Sequence, residues 1–337
     1  MRILIDARKW DDFGIGTYVQ ALLGGLASLA PQDLSIETLH RGASPPTRFP
    51  SHPFQAADYS IREIAGMGLA ARGRKPDLFH IPHFTRPLLS PPCVLTVHDL
   101  IHMRFPEFFG RSIKYAVLKS YLPHALRKAR RVIAVSQTTA QEIRTFFPGI
   151  SGKVTVIPGA ALPEFYEPQA IPRSDYFLFI GNDKRHKNLP FLLAAWKRFH
   201  AEQPGTRLLL VTPGHYAGEG IEIRRAVPPG EMPALIGSAL ALIAPSLWEG
   251  FDLPVLEAML LKTPVLVSDI PVHRELLGPH PYCFPPDKEE ALVGLLRHFI
   301  RRGVRQEPVQ ALYEKAILWT PENMAAQTAD LYRRVLE

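Results

Sequence analysis

Cysteine is nearly absent from this 337-residue chain: Cys93 and Cys283 stand far apart, and neither belongs to a C-x-x-C. That argues against a disulfide framework and against a cysteine-built zinc site, and makes a reducing compartment the expectation. Long apolar runs are missing too, since none approaches the ~20 residues that span a bilayer. The opening M-R-I-L-I-D meets Asp6 too soon for the apolar core of a signal peptide. There is no low-complexity run and no helix-turn-helix, zinc-finger or RNA-binding signature, so nucleic acid is not an expected partner. The expected location is cytoplasmic.

What is present is an ordinary folded composition, 46% hydrophobic and 21% charged, in a chain long enough for two domains with separate cores. The net charge of +7 invites a search for an anionic partner. Basic residues cluster at 127–131 (R-K-A-R-R) and 297–305 (R-H-F-I-R-R-G-V-R). The first cluster ends an apolar-basic segment, 111–131, that reads either as a peripheral contact with an anionic membrane at its inner face or as a solvated helix end favoured by the helix dipole.

Strand-like and helix-like segments alternate from end to end. Strands are expected at 3–6, 78–80, 94–98, 131–135 and 154–157. After a proline-rich passage (Pro163, Pro168, Pro172) they resume at 176–180, 207–211, 240–244 and 265–267. Amphipathic helices are expected at 17–29, 188–202, 232–238 and 254–260. Such a series predicts parallel sheets covered by helices, hence two doubly wound α/β domains, 1–167 and 172–319. Ligands of these sheets bind at the carboxyl ends of the strands, and with two domains the expected site is the cleft between them.

Three segments that follow strands carry chemistry. The first, D-A-R-K-W-D-D-F-G-I-G-T-Y, has Gly14 and Gly16 where backbone can approach a ligand at a helix start. Position 19 is Val19 rather than the third glycine of a dinucleotide fingerprint, so a nicotinamide enzyme is disfavoured. The second, F-I-G-N-D-K-R-H-K-N-L, crowds Lys184, Arg185 and Lys187 before a helix, where a bound diphosphate would relieve three cations opposing the dipole. The third, S-L-W-E-G-F-D-L-P-V-L-E, sets Glu249 and Glu257 eight residues apart, with Pro254 in a first helical turn and Asp252 or Leu253 as cap. Two carboxylates there suit the paired hydroxyls of a ribose or hexose, or the acid and base of a hydrolase. His80, His83, His98, Asp99 and His102 read as cleft-lining residues, as a metal site, or as ordinary loop residues.

Together these residues resemble the retaining glycosyltransferases of family 4. The resemblance runs nearly end to end: G-I-G-T-Y within 6–18, Y-S-I-R-E at 59–63, D-L-F-H-I-P-H at 77–83, V-L-T-V-H-D-L at 94–100, K-V-T-V-I-P-G at 153–159, and the E-x7-E signature within 245–259. It implies the GT-B fold, two facing Rossmann-like domains with a C-terminal helix (320–337) crossing back to the first. It also implies transfer of a sugar from a nucleotide diphosphate sugar with retained configuration. No metal or other cofactor is expected, in keeping with the lack of a D-x-D motif. Carried over, Glu257 holds the ribose, Glu249 the hexose, Lys187 the departing diphosphate, Gly16 brings backbone N–H groups to the phosphates, and His98 lies beside sugar and acceptor. Gly250, Phe251, Asp252 and Leu253, between the glutamates, belong to the same donor site.

Two departures mark this chain. Asn182 stands where the family often has arginine, with Lys184 or Arg185 to supply the charge, and Asp252 stands where it usually has glycine. The carboxylate of Asp252 is either a helix cap or an extra acceptor for donor hydroxyls. The K-N-L ending of the phosphate loop and Y-S-I-R-E lean towards mannose from GDP-mannose, with UDP-glucose next. The acceptor is a saccharide, glycolipid or metabolite. The alternatives are a same-fold epimerase or hydrolase and a non-catalytic sugar- or nucleotide-binding partner.

Overall fold

The computed structural model describes residues 1–42, 44–57, 60, 62–110, 113–167, 171–303 and 306–337. Tyr59 and Ile61 of Y-S-I-R-E, Pro168 of the proline-rich passage, Arg111, and Arg305 of the second basic cluster lie outside the described residues.

The chain forms two compact units, Met1–Leu162 with Trp319–Glu337, and Pro163–Leu318. Among the described residues, the first unit holds seven parallel strands. They are β1 (Arg2–Asp6), β2 (Ser35–His40), β3 (Ser51–Pro53), β4 (Leu78–Ile81), β5 (Cys93–Val97), β6 (Arg131–Ala134) and β7 (Val154–Val156), in the order β3-β2-β1-β4-β5-β6-β7. The second holds β8 (Tyr176–Ile180), β9 (Arg207–Val211), β10 (Ile221–Arg224), β11 (Ala241–Ala244), β12 (Val265–Ser268) and β13 (Cys283–Phe284), in the order β10-β9-β8-β11-β12-β13. Each sheet reverses direction of growth once, beside β1 in the first unit and beside β8 in the second. A doubly wound sheet opens a crevice at that reversal, outside the carboxyl ends of the two central strands.

The central strands are continuous apolar runs because both faces are covered. Tyr-Phe-Leu-Phe-Ile in β8 is buried throughout, and Phe177 and Phe179 pack with Trp196, Phe199, Leu208, Ile243 and Phe284. In the first unit Leu4, Phe79, Leu95, Val97, Leu122 and Leu126 form the corresponding core. Each buried Leu or Phe contributes roughly 1.5–3 kcal/mol relative to exposure. The strands expected at 176–180 and 207–211 have those bounds, and the others shift by a residue or so. β2, β3, β10 and β13 have no counterpart in the expected set. They lie at or next to a sheet edge, where a strand needs fewer apolar residues to be held.

The helix Pro321–Leu336 starts at Thr320, whose hydroxyl accepts from the Asn323 N–H at 3.1 Å, with Pro321 in the first turn. It packs on the helix Ile15–Leu29 at Gly25, where a Cβ would stand 2.1 Å from the Pro321 carbonyl oxygen. Only glycine permits that approach. In the helix Ile113–Lys128, Leu122, Ala125 and Leu126 belong to the core, so the apolar content of the basic segment is partly spent inside the fold. Among the described residues no helix is long and apolar enough to cross a membrane.

Candidate active site

The second unit carries the denser group of charges, and the reversal beside β8 explains why. The loops after β8 and β11 leave adjacent strands at the same edge and are sewn together. The Asn188 amide donates to the carbonyls of Pro245 (3.1 Å) and Pro286 (2.9 Å), and the Leu247 N–H donates to the His186 carbonyl at 2.7 Å. Residues 57 to 98 positions apart in sequence are thereby fixed in one corner of the sheet.

Lys187 and Glu249 meet there. The Lys187 ammonium lies 2.7 Å from Oε1 of Glu249, and the Ser246 hydroxyl donates to the same oxygen at 2.7 Å. Both charged residues are buried. Burial pushes the Glu249 carboxyl up, against the pull of Lys187 and with a further push from Asp252. A buried charge is tolerated when paired and hydrogen-bonded, and this pair is both.

The cations expected at a helix start are arranged differently. Arg185–Lys187 is a single 3-10 turn, Asn188 follows in the left-handed region (φ 54°), and the long helix Leu189–Glu202 begins only after it. Lys184 and Arg185 are exposed, whereas Lys187 is buried. Asn182 folds back on the turn, its Oδ1 accepting from the Lys184 N–H at 3.2 Å. Glu249, expected at a strand end, sits in the loop five residues beyond Ala244.

Asp252 occupies the cap position of the helix Leu253–Leu260, but its carboxylate makes no cap hydrogen bond. Its backbone is left-handed (φ 68°, ψ 71°), a conformation in which an amide-capping side chain is misdirected. Oδ2 instead accepts from Nε2 of His273 at 2.9 Å, in a pair that is almost wholly buried. Burial raises the Asp252 carboxyl, but Lys187 and His273 outweigh it and hold it below the ordinary carboxylate value. Gly250, Phe251 and Leu253 complete the turn, with Phe251 buried. Glu257, one turn into the helix, is buried as well. Burial first, then Asp252 and Glu164, push it up to about 8.

His273 has no place in the sequence reading. It follows β12, one strand further from the reversal, in S-D-I-P-V-H-R-E, and inspecting every strand end rather than the two central ones would have reached it. Ser246 and Ser268 were missed similarly. The Ser268 hydroxyl donates to the Ser246 carbonyl at 2.5 Å, joining the loops after β11 and β12.

In the first unit, Gly14 begins the helix Ile15–Leu29 at φ 78°. Gly16 is required by its own turn: a Cβ there would stand 2.4 Å from the Trp10 carbonyl oxygen, and its N–H donates to the Asp12 carbonyl at 2.7 Å. Arg8, just after β1, bridges Asp6 (2.9 Å) and Glu63 (2.8 Å), all three buried. His98 stands just past β5. Its Nε2–H donates to the Pro82 carbonyl at 3.0 Å, and its ring meets that of Tyr18 edge-on at 4.8 Å. Burial lowers its pKa from 6.5, aided by Lys9 and opposed by the Pro82 carbonyl and Asp99, so the ring is neutral and Nδ1 carries the lone pair.

The other histidines weighed as metal ligands have separate duties. His80 bonds Tyr332 and Thr96, and Nδ1 of His83 accepts from the backbone N–H of Thr85 (3.2 Å) and lies 2.7 Å from its hydroxyl. His102 lies against Phe84.

Comparison with known proteins identifies the family and the fold. The profile described as Glycosyltransferase Family 4 matches residues 14–165, and that described as Glycosyl transferases group 1 matches residues 174–302. The O-antigen chain mannosyltransferase RfbU of Salmonella typhimurium is 29% identical over 62% of this chain and 61% of its own length. O-antigen chain mannosyltransferase B of Escherichia coli is 25% identical over 83% of this chain and 80% of its own. Two solved structures share the fold over 99% of this chain. Sucrose-phosphate synthase of Thermosynechococcus elongatus has TM-score 0.76 at 18% identity and is covered over 99% of its length. Anabaena HepE, in complex with UDP and glucose, has TM-score 0.75 at 15% identity and is covered over all of it. The chain therefore belongs to family 4 of the glycosyltransferases and has the GT-B fold.

Proposed function

We propose that the protein transfers a hexose from a nucleotide diphosphate sugar to a hydroxyl of a saccharide, glycolipid or metabolite, with retained anomeric configuration and without a metal ion. Mannose from GDP-mannose is the favoured donor group, and glucose from UDP-glucose is second. The observation that carries this reading is the buried Lys187–Glu249 pair at the reversal of the second sheet, with Glu257 on the helix that follows. The mannosyltransferase names of the relatives support the mannose preference, and HepE's UDP and glucose support a nucleotide-sugar ligand for this fold.

The barrier lies in breaking the bond between the anomeric carbon and a phosphate oxygen. The electron pair leaves with the diphosphate, so a fixed cation stabilises the transition state more than the bound donor. Lys187 is that cation. Glu249, which holds Lys187 in this structure, also offers carboxylate oxygens to hexose hydroxyls. Glu257 offers its carboxyl oxygens to the ribose hydroxyls. Asn182, Lys184, Arg185 and the turn at 250–253 line the donor site around them. Roles for Gly14, Gly16 and His98, in the first unit, rest on the family resemblance. Neutral His98 offers Nδ1 as an acceptor. Contact with an anionic membrane would fall to exposed Arg127, Lys128 and Arg130.

The test is release of nucleoside diphosphate from GDP-mannose and UDP-glucose by the purified protein. Lys187→Ala and Glu249→Ala are each expected to lower turnover by about 100-fold or more. Unchanged turnover in both would refute the catalytic reading. Activity is expected to persist with chelator, and loss reversed by a divalent cation would remove the metal-free part. Product of inverted configuration would remove retention.

A further inference from the structure

Asp252 poses a problem for any anionic donor. It places a carboxylate, buried and left-handed in its backbone, in the turn between two glutamates. With Glu249 it makes two buried acids that feel the charge of Lys187. A diphosphate brought to this corner would meet the Asp252 carboxylate unless a positive charge compensates it.

His273 faces acceptors on both sides. Nε2 lies 2.9 Å from Oδ2 of Asp252, and Nδ1 lies 2.7 Å from the carbonyl oxygen of Ser268. A carbonyl oxygen only accepts, so Nδ1 carries a hydrogen. An ionised Asp252 also only accepts, so Nε2 must carry one as well. An imidazole with hydrogens on both nitrogens is a cation, and this one has a fully buried side chain. The same ring ties the turn to β12, and the Ser268 hydroxyl on Ser246 and the Ser246 hydroxyl on Glu249 continue the connection to Lys187.

We propose that His273 is a positioning residue of the donor site: its buried imidazolium neutralises Asp252 and pins the turn at 249–253, so that an acidic residue can stand beside a nucleotide diphosphate sugar. This role rests on the donor-site reading above. It assigns to a residue outside the E-x7-E signature the task that makes the buried carboxylate of Asp252 tolerable. His273 acts through Asp252 and the turn, not on the donor itself.

Two measurements test it. The first is nitrogen NMR of the His273 ring in the ligand-free full chain near neutral pH, with His273→Gln to assign the signal. Two protonated nitrogens are expected in the wild type, and a neutral ring would overturn the proposal whatever the protein transfers. The second is a double-mutant comparison. His273→Gln is expected to raise the donor KM by about tenfold or more with a smaller change in kcat, and Asp252→Gly in the same chain is expected to recover most of the loss. Thermal unfolding of each variant shows which remain folded. If His273 were only a packing residue, removing Asp252 as well would leave the KM defect in place, and that result, or a wild-type KM in His273→Gln, would overturn the proposal. A wild-type chain that turns over no nucleotide sugar, yet shows the doubly protonated ring, would overturn the donor-site reading and with it the role, while leaving the ion pair itself established.

Discussion

The hydroxyl of Tyr332 lies 2.5 Å from Nδ1 of His80, joining the C-terminal helix to the centre of the first sheet. Nε2 of His80 lies 2.9 Å from the Thr96 hydroxyl, which is 3.2 Å from that of Tyr18, whose ring meets His98. All four network side chains are buried. Tyr332→Phe keeps the ring but leaves a buried nitrogen without its partner, so it is expected to destabilise the protein by about 1–3 kcal/mol. Chemical denaturation of the two proteins measures this directly. Equal stability would mean that the hydroxyl contributes nothing.

His80 also gives the stability a pH dependence of known sign. Burial lowers its pKa from 6.5 to about 3 in the folded chain, with His98 adding to the effect. Above pH 6.5 neither the folded nor the unfolded chain binds the proton. Between 6.5 and about 3 the unfolded chain takes it and the folded one does not, so this contribution is lost as pH falls through that window. The loss is at most about 1.4 kcal/mol per pH unit. His80→Gln removes the term. The wild type is therefore expected to lose more stability than the variant between pH 7 and about 4 in urea titrations. Parallel losses would count against a neutral buried His80.

The part of this molecule that could be read from sequence is the part that repeats a local rule. β8 and β9 were legible because a strand covered on both faces must be apolar throughout. The expected segments around Lys187, Glu249 and Glu257 were legible because a doubly wound sheet puts chemistry after its strands. What stayed hidden depends on pairing across the sequence. The 2.7 Å contact of Lys187 with Glu249 exists because β8 neighbours β11, and no local pattern states which strands are neighbours. Asp252 illustrates the limit most clearly. Its place before Pro254 made a cap a reasonable expectation, yet a left-handed backbone and a histidine from the helix Pro271–Leu277 redirect the carboxylate. Edge strands such as β13, two residues long, carry too little pattern to be seen alone.

Gly25 marks where two helices touch, and the touch is unforgiving. A Cβ would stand 2.1 Å from the Pro321 carbonyl oxygen and 2.9 Å from the Ala325 side chain, with backbone rather than a flexible side chain in the way. The gain in helix propensity from Gly25→Ala, under about 1 kcal/mol, cannot offset separating the helices. A net loss of about 1–3 kcal/mol is expected. Neighbouring Gly24 has nothing within 4 Å of its would-be Cβ, so Gly24→Ala is the internal control and is expected to be neutral or stabilising. A thermal melt in which both substitutions behave alike would show that the contact is not tight.

Glu257 sets stability against function in one side chain. Burial, then Asp252 and Glu164, raise its pKa from 4.5 to about 8. Below pH 4.5 both folded and unfolded chains hold the proton. Between 4.5 and about 8 the folded chain keeps a proton that the unfolded chain releases, so stability falls as pH rises through that window. Glu257→Gln cannot ionise and escapes the fall. Relative to the wild type, the variant is expected to gain stability steadily from pH 5 to pH 8, whatever its offset at the acid end. The same substitution replaces a carboxyl that can give up its proton to accept from two ribose hydroxyls with an amide that has one acceptor oxygen, and is expected to weaken donor binding by about tenfold. Denaturant titrations across pH and donor thermal shift on the same two proteins measure both effects. A stability difference that stays constant with pH would show that Glu257 does not titrate in this window, and unchanged donor binding would take the ribose role from it.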